Sequence, residues 1–153
     1  MELGHDYFMK QAIKQALLAF EDDEVPIGAV VVVNNQIIGK GYNQTRRLKD
    51  ATAHAEMLAL TSAFNHFSTS ILDECTLYVT VEPCPMCAGA IAQSRISTLV
   101  FGAWDEKGGA VGSVWDVIRD PRALNKLEVR GGVLEEECSA MLKEFIQGVR
   151  KKD

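Results

Sequence analysis

Two short segments of this chain carry the side chains best suited to metal-assisted chemistry. His54 and Glu56 stand two residues apart in the first segment, and Cys84 and Cys87 form a Cys-x-x-Cys pair in the second. A catalytic zinc site needs three protein ligands and an open fourth position. His54, Cys84 and Cys87 would be those ligands, which leaves Glu56 to move protons. The combination predicts metal-assisted hydrolysis or deamination.

The spacing of these residues fits ligands placed at the N-termini of two helices. Two cysteines three residues apart at a helix start fall on one face and can bind one ion. The partial positive charge of a helix N-terminus also stabilises thiolates. Pro83 and Pro85 suit the entry to a helix, where their missing N–H groups cost nothing.

Three other interpretations of the same residues stand beside this one. A histidine at a helix start can be a cap or a surface residue. A Cys-x-x-Cys pair in a cytosolic chain can be redox-active, although a redox dithiol does not require the His-x-Glu segment. A structural zinc site would need a fourth ligand. The candidates for that ligand, none at an obvious ligand spacing, are His5, His66, Cys75 and Cys138.

The elements that must position the two segments follow from hydrophobic periodicity and turn residues. Helices are predicted at 6–20, 54–65, 86–94, 114–118 and 134–149, and strands at 28–33, 36–42, 76–81, 99–102 and 127–129. Two hairpin strands followed by alternating helices and strands predict an α/β protein whose mixed sheet has helices on both faces. Ligands of such sheets bind beyond the carboxyl ends of strands, so we expect the two segments to meet at one edge.

Composition limits the class of protein. A chain of 153 residues that is 47% hydrophobic predicts one domain spanning 1–153. The net charge of −5 argues against a broadly basic nucleic-acid-binding surface, although basic residues cluster at 46–49 and 150–152. There is no stretch with the apolar length of a membrane span and no secretory leader pattern. We therefore expect a cytoplasmic protein, without membrane association, whose four cysteines are reduced.

The order of the two segments, H-x-E followed by P-C-x-x-C, is that of the zinc deaminases of nucleobases. On a longer set of residues the chain resembles the bacterial tRNA adenosine deaminase family, which has the cytidine-deaminase-like fold. The segments that carry the resemblance are 24–30 (EVPIGAV), 41–43 (GYN), 52–56 (TAHAE), 82–91 (EPCPMCAGAI), 105–113 (DEKGGAVGS) and 132–134 (GVL). The last two segments resemble the tRNA enzymes specifically.

The resemblance implies a three-layer α/β/α fold with a mixed sheet of about five strands. It implies one Zn²⁺ per subunit and hydrolytic deamination of adenosine to inosine at the wobble position of tRNA anticodon loops. A zinc-activated water would be the nucleophile and Glu56 the proton carrier. It also implies a homodimer that binds the tRNA anticodon stem-loop. The residues expected to bind substrate are Asn43, Asp105, Lys107, Phe145 and Arg150, with Arg46 and Arg47 as weaker candidates.

Two other functions remain open from the sequence. The acidic net charge favours a deaminase of a free nucleobase or nucleoside, such as guanine, cytosine or cytidine, whereas the 105–113 segment and the basic C-terminus favour tRNA. A zinc-stabilised interaction protein without activity is the third possibility. The presence of Glu56 and the lack of an evident fourth ligand argue against it.

Overall fold

Five strands and four helices make up the fold of the described part of this chain. The computed structural model describes residues 3–123 and 125–152, with side chains through residue 148. The helices are α1 (His5–Glu21), α2 (Ala55–Phe67), α3 (Pro85–Gln93) and α4 (Glu135–Lys152). The strands are β1 (Gly28–Val33), β2 (Gln36–Tyr42), β3 (Thr76–Val81), β4 (Thr98–Ala103) and β5 (Glu128–Arg130).

The strands form one mixed sheet in the order β2-β1-β3-β4-β5. Strand β1 is antiparallel to both β2 and β3, whereas β4 is parallel to β3 and β5. The hairpin between β1 and β2 turns at Asn34 and Asn35, which both adopt positive φ angles, as tight two-residue hairpin turns require. The predicted mixed sheet is therefore confirmed.

Helices cover both faces of the sheet, which confirms the three-layer α/β/α fold. One core joins α2 and α3 to the sheet and includes Ala59, Ile91 and Phe101. A second core, on the opposite face, joins α1 and α4 to the sheet through Met9 and Cys138. The β-branched run of β1 lies between the two cores and is almost wholly buried, because alternate side chains enter opposite faces.

Helix α4 lies close to β4 because a glycine leaves room for it. A Cβ atom at Gly102 would stand 2.5 Å from the Cys138 Sγ atom. The first turn of α4 carries Glu135, Glu136 and Glu137, whose charge is favourable at a helix N-terminus. Across the described ranges, neither α4 nor any other helix combines the length and apolar character that crossing a membrane requires.

The helix predicted at 114–118 is wrong. Residues 114–118 form bends and the start of a turn, and Asp116 makes one isolated bridge with Val111. The backbone N–H of Gly112 donates to the Trp115 carbonyl, and the Asp116 carboxylate accepts from Arg119. These contacts fold the segment into bends and turns. A pattern of apolar residues over only five positions does not determine the backbone conformation.

Candidate active site

Two helices begin on the side of the sheet where β2 and β3 end, and each has a potential metal ligand as its N-cap. His54 is the N-cap of α2, and Cys84 is the N-cap of α3. Both residues have extended backbone angles, and Pro85 occupies the first turn of α3, where its fixed φ suits a helix start. Cys87 follows one turn later and is fully buried.

Asn43 connects the end of β2 to the start of α2. Its side-chain oxygen accepts a hydrogen bond of 2.8 Å from the backbone N–H of Ala55, one of the donors that a helix N-terminus leaves without an intrahelical partner. Its own backbone N–H donates to the Ile27 carbonyl at 3.1 Å. Asn43 is buried, and its two hydrogen bonds fix the start of α2, where His54 is the N-cap.

The imidazole and the two thiols meet at a single point. The His54 Nδ1 atom lies 3.6 Å from the Cys84 Sγ atom and 3.5 Å from the Cys87 Sγ atom, and all three atoms lie within 4.8 Å of one another. Ordinary zinc bond lengths at a tetrahedral angle would put nitrogen and sulfur ligands about 3.6 Å apart. The donor set and its spacing therefore fit a zinc ion.

The group has three members, which leaves a fourth coordination position open. Among the described side chains, no further His, Cys, Asp or Glu atom joins the group within that distance. The fourth-ligand candidates for a structural site, His5, His66, Cys75 and Cys138, all stand outside it. An open position is the property that separates catalytic zinc sites from structural ones.

The two thiols influence each other's ionisation. A hydrogen bond from Cys87 lowers the pKa of Cys84 to about 5, against the opposing effect of burial. The same hydrogen bond, together with burial, raises the pKa of Cys87. One thiolate is thus available near neutral pH, and a bound divalent cation would favour the second because coordination deprotonates a thiol.

Glu56 lies in the first turn of α2 and is 4% exposed. Burial raises the pKa of this carboxyl to about 7, because the charged form loses its hydration. A carboxyl with a pKa near neutrality can both accept and release a proton at the working pH. A buried carboxyl with a pKa near neutrality thus lies two residues from His54, a potential metal ligand.

A second buried glutamate, which the sequence analysis did not single out, holds the 105–113 loop beside this cluster. The Glu82 carboxylate accepts backbone N–H groups from Asp105 at 3.0 Å, Val111 at 2.9 Å and Ser113 at 3.1 Å. The Ser113 hydroxyl donates to it as well. Burial alone would raise the pKa of Glu82, but the Ser113 hydroxyl and the three N–H groups keep it below its ordinary value. The feature of the sequence that could have identified Glu82 is a charged residue directly after an apolar strand.

The 43–53 loop on the other side of the site is held in a similar way. The buried Glu24 carboxylate accepts the backbone N–H groups of Arg46 at 3.2 Å and Arg47 at 2.8 Å. Both arginine side chains are exposed, and Arg47 donates to the Tyr42 hydroxyl at 3.1 Å. Glu24 was hidden in the sequence because it ends a run of acidic residues that resembled a solvated loop.

The remaining predicted substrate-binding residues lie in different surroundings. The Asp105 carboxylate accepts the backbone N–H groups of Lys107 and Gly108, both at 3.1 Å, so it shapes its own loop, while the Lys107 side chain is exposed. Phe145 packs against Phe20 of α1 with ring centroids 6.1 Å apart. The side chain of Arg150 lies outside the described residues.

A three-layer α/β/α protein that brings His, Cys and Cys together beside a buried Glu at two helix N-termini belongs to the class of cytidine-deaminase-like deaminases. Comparison with known proteins agrees. The MafB19-like deaminase family model matches residues 3–150. The tRNA-specific adenosine deaminase of Bacillus subtilis (strain 168) is 48% identical over 147 residues, which cover 96% of this chain and 91% of that relative. The chain therefore belongs to the deaminase family that includes this enzyme.

Solved structures place the fold in the same family. One comes from biochemical and structural studies of A-to-I editing by tRNA:A34 deaminases at the wobble position of transfer RNA. It has a TM-score of 0.86 and 43% identity, and the match covers 89% of this chain and 99% of that one. A guanine deaminase from Nitrosomonas europaea has a TM-score of 0.79 and 25% identity, with 95% of this chain and 86% of that chain covered.

Proposed function

We propose that this protein deaminates adenosine to inosine at the wobble position of tRNA anticodon loops. The observation that carries the proposal is the 48% identity, over nearly the whole chain, to a relative named tRNA-specific adenosine deaminase. The reaction consumes one water and releases ammonia. The hydrolytic chemistry is supported by the His54, Cys84 and Cys87 group with Glu56 buried beside it.

One zinc ion per subunit is the proposed cofactor, held by His54, Cys84 and Cys87. When bound, zinc supplies a water whose pKa is lowered toward 7. Glu56 would accept one proton of the attacking water and give it to the purine ring nitrogen, and would then carry the water's second proton to the departing amine, which leaves as ammonia. Its burial supports this role, because a carboxyl with a raised pKa can perform both transfers.

Asn43 is the proposed hydrogen-bond partner of the flipped base. Its side-chain oxygen is committed to Ala55, so the amide NH₂ is the part that would donate to the base. Asp105, Lys107, Phe145 and Arg150 are the proposed RNA contacts. The exposure of Lys107 supports phosphate binding, whereas the packing of Phe145 on Phe20 restricts how much of that ring RNA could reach.

The proposed assembly is a homodimer of single-domain subunits acting in the cytoplasm on the tRNA anticodon stem-loop. Large apolar side chains exposed on either side of the 105–113 loop support the dimer, because exposed apolar surface is a common feature of interaction sites. These side chains are Trp104, Val114, Trp115 and Val117. Reduced, unpaired cysteines are consistent with a reducing compartment.

A deaminase of a free purine is the second candidate function. It is supported by the likeness in fold to a guanine deaminase, with a TM-score of 0.79, and by the net charge of −5. A free base needs no extended binding surface, whereas RNA recognition depends on local phosphate and stacking contacts.

The test is inosine formation by purified, metal-analysed protein. The substrates are an anticodon stem-loop with adenosine at the wobble position, free adenosine, guanine and cytosine, each beside Glu56→Ala. We expect turnover of the stem-loop alone and its loss in the variant. Turnover of a free base instead would assign the enzyme to salvage, and an active Glu56→Ala would refute the role of Glu56.

A further inference from the structure

We propose that Glu82 is a positioning residue that sets substrate affinity by holding the 105–113 loop against the cysteine-bearing turn. The inference rests on the proposed function and adds a residue to it. Glu82 is 3% exposed and accepts hydrogen bonds from three backbone N–H groups and one hydroxyl, all belonging to that loop. A buried carboxylate bound in this way fixes the groups that it accepts from.

The loop also contacts the turn that carries the metal ligand. The Ala110 N–H of the loop donates to the Pro83 carbonyl at 2.8 Å, and the Glu82 N–H donates to the carbonyl of Ala103, the last residue of β4, at 2.8 Å. Pro83 separates Glu82 from Cys84 in the chain. The loop is thus held on two consecutive residues immediately before a metal ligand, and its position relative to the site is determined there.

Gly109 provides an independent sign that the carboxylate and the loop are tightly fitted. A Cβ atom at this position would stand 2.3 Å from the Glu82 Cδ atom, 2.4 Å from Oε1 and 2.5 Å from Oε2. The carboxylate cannot rotate away without losing the N–H groups of Asp105 and Val111. A methyl group at Gly109 would therefore push the loop away from the Glu82 carboxylate. Loss of the Glu82 charge would weaken the same contact.

The geometry points to an effect on binding and not on the chemical step. The oxygens of Glu82 are committed to the loop, whereas the proposed proton carrier Glu56 lies on α2. Lys107, which we propose as an RNA contact, is exposed on the loop that Glu82 holds. A displaced loop would misplace that contact while leaving His54 and Glu56 where they are.

The first variant is Glu82→Gln, which keeps the shape but presents an NH₂ group to N–H donors. Hydrogen exchange of the 105–113 amides measures how firmly the loop is held. Metal analysis measures the zinc content, and steady-state kinetics give kcat and KM. We expect faster amide exchange, an unchanged zinc content and kcat, and a KM for the stem-loop that rises roughly tenfold, the effect of losing about 1.4 kcal/mol of binding.

Two further variants change the loop side of the contact with Glu82. Gly109→Ala keeps the carboxylate and should reproduce the rise in KM. Ser113→Ala removes one donor and should give a smaller rise, which preserves the test if Glu82→Gln does not fold. Tyr78→Phe is the control, because it removes a buried hydroxyl that lies 2.8 Å from His5 Nδ1, away from the site. It should leave KM unchanged even if it lowers the melting temperature.

A fall in kcat or zinc content with unchanged KM would overturn the proposal, as would unchanged exchange of the 105–113 amides in Glu82→Gln. Failure of the proposed function is a separate result. If the wild-type protein turns over a free base and not the stem-loop, tRNA editing is refuted, and the KM comparison is made with that base. A rise in KM there would still support Glu82 as the positioning residue.

Discussion

Glu56 and Cys84 lie in the same site, but their surroundings shift their pKa values in opposite directions. The thiol of Cys84 has its pKa lowered to about 5 by a hydrogen bond from Cys87, so this residue carries a negative charge near neutral pH. The carboxyl of Glu56 has its pKa raised to about 7 by burial, so it is free to exchange protons. The site thus favours a thiolate at Cys84, whereas Glu56 is present near pH 7 in both its ionised and its neutral form, as a group that accepts and then releases a proton must be.

Replacement of Glu56 by Gln removes the proton carrier without changing the shape of the side chain. We expect turnover to fall by about 10²–10⁴-fold, the usual contribution of a general acid–base group. The zinc content should not change, because Glu56 is not among the three grouped ligands. The measurement is single-turnover deamination beside metal analysis. A variant that loses zinc together with activity would show instead that Glu56 supports the metal site.

Removal of the metal should lower stability as well as activity. A ligand that binds only the folded state stabilises it by about 2.7 kcal/mol at a concentration of 100 times its dissociation constant. We therefore expect a chelator to lower the melting temperature and Zn²⁺ to restore it, measured by calorimetry. Mg²⁺ is the matched control, since it prefers oxygen ligands and should restore nothing. Equal recovery with both ions would contradict a Cys₂His site.

At the scale of elements, α2 places His54 through its close contact with β2. A Cβ atom at Gly41 would stand 2.5 Å from the Ala55 carbonyl oxygen and 2.6 Å from the Ala59 nitrogen. Both atoms belong to the helix backbone, so neither can move by a change of rotamer. The absence of a side chain at Gly41 is therefore what allows the first turn of α2 to lie on the strand.

Gly41→Ala should push α2 away from β2 and disturb the metal site at its end. We expect a loss of about 1–3 kcal/mol in the free energy of unfolding, typical of overpacking, together with weaker zinc binding. Gly148→Ala is the control, because a Cβ atom there meets nothing within 4 Å and alanine favours a helix. Urea denaturation and zinc titration test both variants. Unchanged zinc affinity in Gly41→Ala would mean that the site does not depend on this contact.

The elements and ligands that local patterns describe could be predicted from the sequence. The alternation of apolar strands and helices gave the mixed sheet, and the P-C-x-x-C and H-x-E segments indicated two helix starts. The helix predicted at 114–118 was wrong because the Gly112 N–H donates to the Trp115 carbonyl and the adjoining Ser113 is held by the distant Glu82. The roles of Glu24 and Glu82 were not predicted for a similar reason, because they depend on loops 22 to 31 residues further along the chain.

At the scale of the whole molecule, the distribution of apolar surface is uneven. Trp104, Val114, Trp115 and Val117 expose between 36% and 51% of their surface within one short stretch of the chain. The Trp104 ring also contacts the buried Phe101 ring at a centroid distance of 4.8 Å, so this surface is continuous with the core of the sheet. These exposed side chains on either side of the 105–113 loop support the proposed homodimer, because burying them would remove apolar surface from water.

Trp115→Glu should therefore convert the proposed dimer into a monomer, because it puts a charge where apolar surface would be buried. Light scattering coupled to size exclusion should give the mass of two chains for the wild-type protein and of one chain for the variant. Ile146→Glu is the matched control: Ile146 is 49% exposed, nearly as much as Trp115 at 51%, but it lies on α4. It should remain a dimer. A monomeric wild-type protein would refute the homodimer, and a dimeric Trp115→Glu would move the interface to another surface.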